Sequence, residues 1–153
     1  MPRYLQLFGL VYSASITYLS SNSGSDVLRS QIVNSGVVTC VSRMLGDLPD
    51  VAVKTEAAKL LSNISYSGVS NQGAVLMAQG DTELIKHFHL DGAHYELLQY
   101  CANGIANLST TLVNQISIGY SEAITLLLRL LVDCNKPSVL EASGILLTKL
   151  QLF

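Results

Sequence analysis

Apolar residues recur along this chain at helical rather than alternating spacing. Ala57, Leu60, Leu61 and Ile64 stand at i, i+3, i+4 and i+7, which places them on one helical face. Ile105, Leu108 and Leu112 follow the same rule, as do Ile124, Leu127, Leu128 and Leu131. Breakers separate the runs: Asn22 to Asp26, Gly46-Asp47, Pro49-Asp50, Asp91-Gly92 and Pro137-Ser138. No Asn-Gly pair lies between alternating apolar residues, so no hairpin is signalled. The pattern predicts an all-α chain in helices of about 10 to 18 residues.

The helices repeat. Leu19, Ile64, Leu108 and Leu150 each close a long helix, and they are 45, 44 and 42 residues apart. Three positions earlier stand Ile16, Leu61, Ile105 and Leu147, all apolar. Six or seven positions earlier the residues are mostly small: Ser13, Ala57 and Ala58, Cys101 and Ala102, Ser143 and Gly144. Small residues there let neighbouring helices approach closely. Gly36, Gly80 and Gly119 form a second register, each ending one apolar segment and starting another. A glycine after a short helix is expected to stop it by entering the left-handed region. One unit is therefore a short helix, a glycine bend, a second helix and a long third helix.

These landmarks resemble the armadillo repeat family. The stretches that carry the resemblance are "NSGVVTCVSRMLGDLPDVAVKTEAAKLLSNIS" and "IGYSEAITLLLRLLVDCNKPSVLEASGILLTKL". Between them, "HFHLDGAHY" departs from the family pattern. The resemblance implies a right-handed α-solenoid, a superhelix of helical repeats forming one domain over residues 1–153. Its units are 1–21 (the last helix of a partial repeat, Arg3 to Ser20), 22–66, 67–110 and 111–153. Neither end offers the polar outer face that a solenoid cap needs. The ends are thus expected to be covered by further chain, by a partner or by a second copy through the apolar terminal helices.

Composition narrows the function. Hydrophobic residues make up 49% and charged residues only 13%, with a net charge of −2. That charge leaves no basic footprint for nucleic acid or an anionic membrane. The apolar run from Tyr4 to Leu19 is interrupted by Gln6, Ser13, Ser15 and Thr17. It is too short and polar for a membrane span and lacks a signal-peptide cleavage site, so it reads as a buried helix. Cys40, Cys101 and Cys134 are odd in number and widely spaced, which fits buried thiols in a reducing compartment. Cys40 and Cys101 read as small core residues. A cytoplasmic location is expected, or a nuclear or membrane-face one through a partner.

No phosphate cradle, nucleophile elbow or zinc-helix motif occurs, and no enzymatic activity, cofactor or metal is expected. His87, His89 and His94 cluster around Asp91, but on a helix His87 and His89 point apart, and a last-turn His commonly bonds carbonyls. The triplets "NIS" and "NLS" match a glycosylation acceptor, yet both sit at the ends of regular helices with no secretory route indicated.

The resemblance gives these asparagines another role. In armadillo proteins the long helices line the concave wall, and an Asn near this position clamps the backbone of an extended peptide. Carried over, that role falls on Asn63 and Asn107, with Tyr18 and Lys149 at the equivalent outer positions. One turn earlier the stripe holds Lys59 and Asn103, and two turns earlier Glu56 and Tyr100. Grooves of the importin-α kind carry Trp one turn earlier; this chain has none there or elsewhere. The expected function is a protein-interaction scaffold binding a protein or peptide segment along this groove. Alternatives are a structural or oligomer-forming segment of a longer solenoid, or a regulatory module for a small GTPase or another enzyme. For the asparagines the rival reading is a strut between repeats.

Overall fold

A computed structural model describes residues 24–66, 68–88 and 94–150. The expected first helix (Arg3 to Ser20), with Tyr18 and Leu19, lies outside the described residues, as do His89 and Asp91. Among those described, every regular element is a helix. They follow as α1 (Asp26–Asn34), α2 (Val38–Asp47), α3 (Val51–Ser65), α4 (Val69–Met77), α5 (Gly80–Ile85), α6 (Tyr95–Leu108), α7 (Leu112–Gly119), α8 (Ala123–Asp133) and α9 (Pro137–Lys149).

Three of the described helices begin at a residue whose side chain accepts from their first N–H groups. Ser25 accepts from the Leu28 N–H at 3.2 Å and opens α1. Asp50 accepts from Ala52 and Val53 at 2.8 and 3.3 Å and opens α3. Thr111 does the same for α7 through Asn114 at 3.3 Å. Pro137, at the first turn of α9, has no N–H to satisfy.

The nine helices of the described residues group as three sets of three. The third members, α3, α6 and α9, lie side by side in one layer, with α6 packed extensively on both neighbours. The second members α2, α5 and α8 pack on α3, α6 and α9 respectively. The core follows the repeat: Ile64 and Leu108 are fully buried and Leu150 nearly so, as are Leu61, Ile105 and Leu147 one turn earlier. Each such side chain contributes about 1.5–3 kcal/mol by leaving water. Ala57, Ala58, Cys101, Ala102 and Ser143 are buried between the long helices, where a larger residue would hold the layer apart. At Gly104 a Cβ would sit 2.9 Å from Leu84 Cδ1 and 3.6 Å from Ser62 Cα, so α6 meets α3 there almost backbone to backbone.

Several expectations need correction. Leu112 is 68% exposed, because the chain leaves α6 at Ser109 and Leu112 begins α7 on a new axis. In α8 the buried stripe is Ala123, Leu127 and Leu130, running on to Cys134, while Leu128 is exposed and Ile124 and Leu131 are only partly covered. In "AITLLLRLLVD" almost every residue is apolar, so spacing alone fixes no phase. Cys40 is exposed; it lies two residues beyond the buried Val38 and so on the opposite side of α2.

The three register glycines also differ. Gly36 does take a left-handed φ of +79° between α1 and α2. At the next bend Gln79 takes that conformation, at φ 58°, and Gly80 instead starts α5, where a Cβ would lie 2.6 Å from Val75 Cγ1. Gly119 ends α7 without a positive φ and has open space around it.

Candidate functional site

The long-helix layer leaves one stripe of each helix incompletely covered. On α3 these are Glu56, Lys59 and Asn63; on α6 they are Tyr100, Asn103 and Asn107, all half-buried. The i, i+3, i+7 spacing keeps each trio on one face, and the side-by-side packing of α3 and α6 sets the two faces next to each other. On α9 the continuation is Ile145, exposed, and Lys149, half-buried. Ala142, one turn before Ile145, is buried in the layer and adds nothing to this surface.

The members of the stripe are not equally available. Asn107 donates from Nδ2 to the Ser62 carbonyl of α3 at 3.0 Å, tying the last turn of one long helix to its neighbour. That is the strut geometry, and it engages the amide N–H that a peptide clamp would use. Asn63 and Glu56 also have partners within the chain. Lys59, Tyr100, Asn103 and Lys149 make no side-chain hydrogen bond or ion pair within the described residues. Of the asparagines, then, Asn103 has an amide with both donor and acceptor unengaged.

At the N-terminal end of the same stripe a cleft of about 450 Å³ opens between α3 and α6, lined by Thr55, Glu56, His94, Tyr95 and Glu96 among others. Lys136, just before α9, lies 5.0 Å above the ring of Tyr95, one of the lining residues, in a cation–π contact. A smaller cleft of about 230 Å³ adjoins it, lined by His87, His94 and Lys54. His87 turns its Nδ1 to within 2.8 Å of the Glu83 carbonyl one helical turn back, the carbonyl-bonding role of a histidine at a helix end. Among the described residues no three His, Cys, Asp or Glu side chains converge on a point that could hold a metal ion. Cys101 is fully buried, and burial pushes its thiol far above the ordinary cysteine range despite the charge of Lys54, so it is no nucleophile.

No protein-family model matches the chain, and no curated protein matches its sequence. Solved structures do match. Computationally designed armadillo repeat proteins for modular peptide recognition superpose with a TM-score of 0.82 at 17% identity, over 91% of this chain and 58% of that one. The fold is an armadillo-like repeat solenoid. A designed armadillo repeat protein in complex with the peptide (KR)4 gives 0.79 at 18% identity, over 97% of this chain and 59% of that one. An engineered protein gives 0.78 at 23% identity, over 91% and 54%. The chain thus spans between half and two thirds of the length of these structures.

Within these armadillo-like repeats the structure brings forward residues that sequence reasoning passed over. Gln72, 5% exposed, donates from Nε2 to the carbonyls of Ser65 and Asn107 at 3.1 and 3.2 Å, and its Oε1 accepts from Thr110 at 3.1 Å. One side chain thereby joins the ends of α3 and α6. Gln115 stands 43 residues later and donates to the Ser109 carbonyl at 3.1 Å. Arg29 stands 43 residues earlier and donates to the Gly24 carbonyl at 3.0 Å. Each is followed three positions later by a buried apolar residue: Ile32, Val75 and Ile118. A long polar residue at a fixed period ahead of a buried one was a readable signal. The serines of "NIS" and "NLS" are equally structural: Ser65 and Ser109 are buried and donate back to Leu61 and Ile105 carbonyls, each at 2.7 Å.

Proposed function

We propose that this chain is a non-enzymatic interaction scaffold that binds a protein or peptide segment along the exposed stripe of α3, α6 and α9. The observation that carries this reading is the half-buried row Lys59, Tyr100 and Asn103, whose polar groups have no hydrogen-bond or ion-pair partner among the described residues, with Tyr100 packed against the core. An aromatic ring beside a free amide and a free ammonium offers apolar contact, backbone hydrogen bonding and charge within one surface. Two solved structures of this fold support the reading, one described as made for modular peptide recognition and one holding a peptide. In this proposal Tyr100, Asn103, Lys59 and Lys149 face the partner. Asn63, Asn107 and Glu56 border the surface.

The test is a peptide-display selection on the whole chain, with each recovered peptide measured against Tyr100→Ala and Asn103→Asp variants. Peptides that lose tenfold or more in affinity for both variants support the surface. Recovered peptides that bind all three proteins equally would place binding elsewhere.

A second reading rests on α7 and α8, which expose Leu112, Val113, Ile116, Leu128 and Val132. An apolar surface of this extent favours association with a further layer of helix, and a second copy of the chain would supply one. Light scattering across a hundredfold range of concentration tests it: a dimer that dissociates in a Val132→Glu variant supports self-association, and a monomer throughout removes it.

A further inference from the structure

The stripe on α3, α6 and α9 is not uniform, and its order suggests a partner chemistry; this inference rests on the binding surface proposed above. Lys59 stands on α3 and Lys149 on α9, and neither ammonium has an ion-pair partner within the described residues. Between them lie Tyr100 and Asn103 on α6 and Ile145 on α9. Lys59, Asn103 and Ile145 occupy one repeat position, and Asn107 and Lys149 share the next. The surface thus has a cation at each end and an apolar centre with one free amide.

We propose that this surface takes an extended segment carrying an acidic residue near each end and apolar residues between. The spacing follows from the layer. Packed helices lie about 8–10 Å apart, so α3 and α9 are separated by roughly 16–20 Å across α6. An extended chain rises about 3.3 Å per residue, which sets the two acidic residues five or six positions apart. One carboxylate meets Lys59 and the other meets Lys149. Apolar side chains on one face of the strand seat against Tyr100 and Ile145, and the Asn103 amide bonds the strand backbone. Glu56 already has a partner within the chain, whereas the two ammoniums have none among the described residues, so the unpaired charge at the two ends is positive. Glu141, exposed on α9, repels further carboxylates and so confines the acidic residues of the segment to its ends.

The probes are end-capped seven-residue peptides with alternating Val and Thr between two Asp residues or between two Lys residues, together with the peptide (KR)4. Fluorescence anisotropy on the full chain is expected to show the Asp-flanked peptide binding at least tenfold more tightly than the Lys-flanked one, with a preference that shrinks as salt is raised. Lys59→Glu and Lys149→Glu should each weaken the Asp-flanked peptide severalfold and strengthen the Lys-flanked one. Equal binding of the two peptides, tighter binding of (KR)4, or indifference to both lysine variants would overturn the proposal. The display selection keeps this separate from the scaffold reading. Peptides that depend on Tyr100 and Asn103 but are basic, or whose acidic residues stand about eleven apart as a helix would need, retain the surface and reject the acidic-flanked strand.

Discussion

The two junctions in the long-helix layer are packed alike and fastened differently. Where α6 meets α3, Asn107 bonds the Ser62 carbonyl, and Gln72 bridges Ser65, Asn107 and Thr110. Where α9 meets α6, Lys149 takes the asparagine position, and Gln115 reaches only Ser109, at the end of α6. Among the described residues no side-chain hydrogen bond crosses that second junction. Apolar burial is nonetheless close to equal: Leu61 and Leu147, at one repeat position, are 0% and 6% exposed. The apolar stripe makes the repeat stack; the first junction adds side-chain hydrogen bonds, and the second adds only the Lys136–Tyr95 cation–π contact.

The contrast can be broken most forcefully at the shared apolar position. Leu61→Ala should cost about 2–5 kcal/mol in chemical denaturation, and Leu147→Ala should fall at the lower end of that range. If Leu147→Ala proved the costlier, the second junction would not be the weaker one. Next in size is Gln72→Leu, which strips two buried carbonyls and Thr110 of a partner and should cost about 1–3 kcal/mol. Gln115→Leu, with one bond at stake, should cost about half as much.

Asn107→Ala sharpens the comparison further, with an expected loss of about 0.5–1.5 kcal/mol. Lys149→Ala should stay within about 0.5 kcal/mol. A neutral Asn107→Ala would return that amide to the role of a ligand clamp. The smallest effect concerns Asp81, which stands in the second repeat where the first has Val38 and the third Ile124. Burial raises its carboxyl above the ordinary aspartate range, against backbone hydrogen bonds at Thr82 and at its own amide. An acid raised in the folded state destabilises it increasingly as pH climbs from the unfolded pKa through the folded one. Asp81→Asn should therefore raise the Tm at pH 7 and lose that advantage near pH 3, as read by thermal melts across the range.

The long helices were the legible part of the fold. "EAAKLLSNIS" sets its apolar residues at i, i+3, i+4 and i+7, and Ala57, Leu60, Leu61 and Ile64 are all fully enclosed. In α8 leucine fills both faces, and only contact with α9 decides that Leu127 and Leu130 turn inward. Gly80 was legible as special but not as to why, because a glycine needed for close approach and one needed for a left-handed turn look the same in a sequence. The asparagines mark the same boundary. Their period could be read, but whether an amide near a helix end turns to solvent or to the next helix depends on where that helix lies. The engagement of Asn107 goes with the close approach at Gly104, which brings α6 against Ser62.

The Gln72 bridge has a mechanical consequence. Among the described residues the first two repeats are joined by several side-chain hydrogen bonds, whereas α9 of the third is joined to α6 by apolar packing and one cation–π contact. Under a pulling force applied through the ends of the solenoid, α7 to α9 are expected to peel away before α3 and α6 part, an order that force spectroscopy would read. The proposed binding stripe crosses the joint between α6 and α9. A ligand gripping both Lys59 and Lys149 would act as the missing fastener, and tension on the chain would act as its release.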